Sequence, residues 1–171
     1  MGRPGRGRHP LGEVPMTIAE FSDWLSATAL SQTIQVTDGL IAGLQTIHIV
    51  CVAVTFTAAL MVDLRVLGTG LRSESLRAVS DRFIPSIWVC IVILLVTGAL
   101  LIVAEPGRTL SNPSFYLKLS ALFLAIVVTL WLRAFARGSR PVTGLPVAAA
   151  IISMLLWMTI IVAGRYIAYT T

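Results

Sequence analysis

Four apolar stretches, each about as long as a bilayer's hydrocarbon core is thick, decide the solvent of this chain. They run over about 39–62, 83–104, 115–132 and 145–163. A helix rises 1.5 Å per residue, so about 20 apolar residues cross about 30 Å of hydrocarbon. Only 12% of the 171 residues are charged, against about 25% in a soluble domain. The mean hydropathy is +0.87. Within lipid, only helices and closed barrels satisfy every backbone group. Barrel strands alternate apolar and polar residues, whereas Ile91–Val96 and Ala125–Val128 are continuously apolar. The expected fold is therefore all-α, an integral membrane antiparallel four-helix bundle forming one domain over 16–171. Short links make consecutive spans neighbours.

Ahead of the first span, Ile18, Phe21, Trp24 and Leu25 recur at helical spacing, with a capping-box pattern at Thr17 and Glu20. This predicts a short N-terminal amphipathic helix over Thr17–Leu30, lying in the membrane interface, with Gln32–Asp38 as the turn into the first span. Pro85 reads as a first-turn proline of the second span, where the ring is tolerated. Met1–Pro15, rich in Gly, Pro and Arg, is expected to be a disordered basic tail. It has no apolar run of the kind a secretory signal needs, and Met16 offers an alternative start.

The net charge of +5 and pI near 10.0 reflect basic residues scattered among helix ends, not a nucleic-acid-binding stripe. Arg65, Arg72, Arg77 and Arg82 follow the first span; Arg133, Arg137 and Arg140 follow the third. The opposite side has Arg108, Lys118 and Arg165, plus Arg3, Arg6 and Arg8 if the tail is retained. This bias predicts cytoplasmic first and third connections, with both termini outside.

Chemistry concentrates on the first span. Asp38, Gln45, His48 and Thr55 fall on one face, completed by the smaller Ala42, Val52 and Ala59. Such a stripe belongs inside the bundle or against a partner chain. His48 lies roughly 13–15 Å into the helix, where an imidazole packs through hydrogen bonds, relays a proton or ligates haem. It is the only histidine of the spans. A b-type haem therefore needs a second copy, another subunit, or a methionine such as Met61, Met154 or Met158. Cys51 and Cys90, in separate spans without a CxxC, read as small buried hydrophobes. Asp63 and Arg65 diverge on a continuous helix, as interfacial charges or an anchor for a partner, and Gly68 and Gly70 suit the helix end.

Glu105, Arg108, Lys118 and Arg165 occupy helix ends on the other side, as snorkelling anchors or a charged bundle mouth. Trp88, Trp131, Tyr166 and Tyr169 fit an aromatic belt, with Trp157 deeper. Thr97–Gly98 permits close helix approach. Ser-His-Asp sets, HExxH, P-loops and paired intramembrane carboxylates are all missing from the sequence.

A His in the first span, then Asp-Leu-Arg-Val-Leu-Gly, Ile-Pro-Ser-Ile-Trp, Thr-Gly, and Asn-Pro-Ser-Phe-Tyr-Leu-Lys before the third span resembles a bacterial family of four-span membrane proteins of unknown function. The resemblance covers about 40–132 and implies a cytoplasmic-membrane protein with no assigned reaction. By analogy the bundle is similar to small b-haem or copper-export membrane domains. Three functions are expected in order: a non-catalytic accessory or scaffold subunit, a b-haem electron-transfer subunit using His48, and a small-molecule permease. The bilayer and a second copy or another membrane subunit are the expected partners.

Overall fold

The structure, a computed structural model, describes residues 16–138 and 142–169. Its helices are α1 (Ile18–Ser26), α2 (Ala29–Val36), α3 (Leu40–Val66), α4 (Leu76–Ala104), α5 (Pro106–Leu110), α6 (Pro113–Ala136) and α7 (Leu145–Tyr169). Four of them, α3, α4, α6 and α7, are long and apolar enough to cross a membrane. No strand occurs among the described residues. The tail expected to be disordered, 1–15, lies outside them.

Each spanning helix outlasts its apolar stretch. α3 passes Val62 to end at Val66, α4 begins at Leu76 rather than Phe83, and α6 passes Leu132 to end at Ala136. Apolar composition marks the continuous hydrophobic run, while helical hydrogen bonding continues beyond it. The earlier start of α4 places Pro85 in the helix interior, not its first turn. Pro85 has no N–H to offer the Asp81 carbonyl.

The N-terminal segment is two helices, not one helix and a turn. Thr17 and Glu20 close the expected capping box: the Glu20 N–H donates to Thr17 Oγ1 at 3.3 Å, and the Thr17 N–H to Glu20 Oε2 at 2.7 Å. Thr28 then interrupts the helix. Its hydroxyl donates to the Leu25 carbonyl at 2.7 Å and accepts from the Ser31 N–H at 3.3 Å, which caps α2. Local bonding of this kind competes with helix continuation. Gln32–Val36 is consequently helical, and Gly39, at φ 75°, makes the turn into α3.

α3 pairs with α4 and α6 with α7; the two hairpins join mainly through α3 and α7, and α4 meets α6 only lightly. The looser joint coincides with the one link that holds an extra helix, α5, against which α1 rests. The core centres on Ala58, Ala59, Ile87, Ile91, Ala121, Ala125 and Trp157. Lipid is as apolar as such a core, so spans associate through close packing and polar ties, which favours alanine at the contacts. Val89, Val92, Leu95 and Val96 of α4 and Phe123, Leu124 and Val127 of α6 face outward. At the α3–α4 bend, Gly68 turns with φ 70°, Arg65 Nε donates to the Glu74 carbonyl at 2.6 Å, and Arg82 pairs with the Glu74 carboxylate at 2.9 Å.

Candidate functional site

Three spanning helices meet at His48. From α3 its Nδ1 lies 2.8 Å from Thr97 Oγ1 on α4, and its Nε2 lies 3.3 Å from Lys118 Nζ on α6. The Thr97 hydroxyl donates to the Ile93 carbonyl at 2.8 Å, as threonines inside helices commonly do. That leaves its lone pairs for His48, so the imidazole carries its proton on Nδ1 and accepts from the Lys118 ammonium at Nε2. Protons thus point one way along Lys118, His48, Thr97 and Ile93. Two glycines border these side chains. A Cβ on Gly98 would stand 3.5 Å from His48 Cε1, and one on Gly164 of α7 would stand 3.6 Å from Lys118 Nζ. All four spans therefore contribute to this layer.

The expected stripe divides along its length. Asp38 is exposed at the turn before α3, Gln45 is half-buried, His48 joins the layer above, and Thr55 is fully buried. The Thr55 hydroxyl donates to the Cys51 carbonyl at 2.7 Å. Its deeper members therefore serve the chain's own bundle. Cys51 and Cys90 are both buried, free thiols, brought together across α3 and α4 beside Leu94. Among the described residues no three of His, Cys, Asp and Glu form a metal-ligand group.

The charged helix ends separate too. Glu105 pairs with Arg108 at 2.6 Å and Arg165 is exposed. Lys118 turns inward to His48 rather than outward to the headgroups, with its stem beside Gly164 of α7. Asp63 and Arg65 do find different partners. Arg65 reaches Glu74, whereas Asp63 is only 1% exposed and takes a hydrogen bond from the Ser153 side chain of α7. Sequence reasoning missed Thr97 and Ser153 as partners. The available signal was a lone hydroxyl facing each ionisable residue across the bundle, which becomes readable only once the helices are aligned.

A haem fits this layer poorly. Both ring nitrogens of His48 are engaged, and iron ligation by Nε2 requires Lys118 to leave. No methionine lies at the same depth. Met61 is about 20 Å further along α3, Met154 is about 15 Å from Gly164 along α7, and Met158 faces outward.

Fold and site together define a four-span helical membrane protein held by a polar layer inside the bundle. The chain belongs to the DUF6644 family, a family of unknown function, which it matches over residues 21–170. Comparison with curated proteins and with solved structures found no match.

Proposed function

We propose that this protein is a non-catalytic accessory or scaffold subunit of a membrane complex, set in a bacterial cytoplasmic membrane with both termini outside. The His48 layer carries the reading. The one histidine of the spans commits both ring nitrogens to Thr97 and Lys118, so this chemistry-bearing group acts as an interhelical tie. The orientation is supported by the arginines Arg65, Arg72, Arg77 and Arg82 after α3 and Arg133 and Arg137 after α6. Ile18, Phe21 and Trp24 of α1 are exposed beside the opposite mouth, where aromatic and aliphatic side chains sit in the interface.

Gentle extraction from native membranes, followed by mass determination of the purified assembly, tests the proposal. A complex with a second copy or another membrane subunit in fixed ratio is expected; a monomer without a stoichiometric companion overturns it. A visible spectrum tests the rival electron-transfer reading. No Soret band is expected after haem supplementation, and a band abolished by His48→Ala would replace the scaffold reading.

A further inference from the structure

We propose that Asp63, with the hydroxyls of Thr129 and Ser153, binds one sodium ion inside the bundle, a site that goes beyond the scaffold reading and does not rest on it. The Asp63 side chain is 1% exposed, and its Oδ2 is buried without a hydrogen-bond partner. Asp63 lines a small cavity of about 10 Å³ whose other oxygen-bearing side chains are Thr129 of α6 and Ser153 of α7, the remaining lining being aliphatic. That volume accommodates a single water-sized occupant.

No ion pair among the described residues neutralises the carboxylate. Arg65 is turned to the Glu74 carbonyl, and Arg133, one turn beyond Thr129, makes no ion pair with Asp63. A charge removed from water stays ionised only when paired or coordinated. Three oxygen donors from three helices suit a hard cation rather than a soft one. One carboxylate balances one positive charge, which favours a monovalent ion over a divalent one. A proton alone would neutralise Asp63 but leave the cavity and the Thr129 oxygen unused. An intramembrane acid is by default a candidate ion site, and here the companion hydroxyls and the empty volume are all present.

The test uses the full chain in lipid nanodiscs at constant ionic strength, comparing thermal unfolding in sodium, potassium and choline chloride. Sodium is expected to raise Tm saturably over choline, with potassium weaker. Ser153→Ala is expected to bind sodium at least about tenfold more weakly, and Asp63→Asn to lose the sodium-dependent shift. Should Asp63→Asn fail to fold, radiosodium binding to the unaltered protein decides the matter, with one displaceable ion per chain expected. Equal Tm in sodium and choline overturns the site. So does a carboxyl that responds to pH alone, or stability that falls equally in Asp63→Asn and Arg133→Gln without sodium dependence, which would make Arg133 the partner.

Discussion

The two polar layers of this bundle are built from similar materials and end differently. Around His48, each polar atom meets a partner: Lys118 donates to the ring, the ring to Thr97, and Thr97 to Ile93. Around Asp63, about 22 Å further along α3, the residue lines a cavity and one carboxylate oxygen has no hydrogen-bond partner. A closed network is structural glue, whereas an open one retains capacity for a ligand. Composition does not separate the two. Each has one ionisable residue on α3 and a hydroxyl on a facing helix; the difference is whether another helix supplies a hydrogen-bond donor to the atom left over, as α6 does with Lys118.

Removing the hub of the closed layer should have the largest effect. His48→Leu leaves the Lys118 Nζ without its ring acceptor and the Thr97 oxygen without its ring donor, and should cost about 2–3 kcal/mol, measured by reversible unfolding in mixed micelles. Next comes Gly98→Val, which forces α4 away from the imidazole. Overpacking should cost about 1–3 kcal/mol, and the same assay after Gly98→Ala should show a much smaller loss, since its Cβ meets His48 at ordinary contact distance. A double-mutant cycle between His48→Leu and Thr97→Val should return a coupling of about 0.6–1.7 kcal/mol, the range for hydrogen bonds between spans. A coupling of zero would dissolve the contrast between the layers.

The smallest effect concerns the N-terminal platform. Glu20 is held below its ordinary value of 4.5 chiefly by the Thr17 backbone N–H, with the Thr17 side chain assisting. Its ionised form is therefore favoured in the folded state. That contribution is fully present above pH 4.5 and disappears as pH falls through the lower folded value. Amide exchange across α1 should quicken in that acid window, and the change should vanish in Glu20→Gln.

The spans and the bundle were legible because lipid imposes a simple requirement, continuous apolar length. Helix ends were less so: Val62 and Phe83 bound the apolar runs, but α3 and α4 continue to Val66 and back to Leu76. The Thr28 break escaped notice because one hydroxyl, bonding locally, overrode a favourable amphipathic pattern. At the candidate site, periodicity placed His48 and Thr55 inside. It leaves Lys118 among the snorkelling anchors, since only the alignment of α6 with α3 brings its Nζ to the His48 ring. Asp63 reads as an interfacial charge because it lies one turn from the helix end, yet depth within a bundle depends on what surrounds a residue more than on its rank along the chain.

Gln35 of α2 donates to the Ala104 carbonyl at 2.8 Å, at the last helical residue of α4. Sliding α3 by a single residue would move His48 about 1.5 Å along its axis and spoil its match to Thr97. A bond at the rim therefore works as an axial stop, keeping deeper partners level with one another.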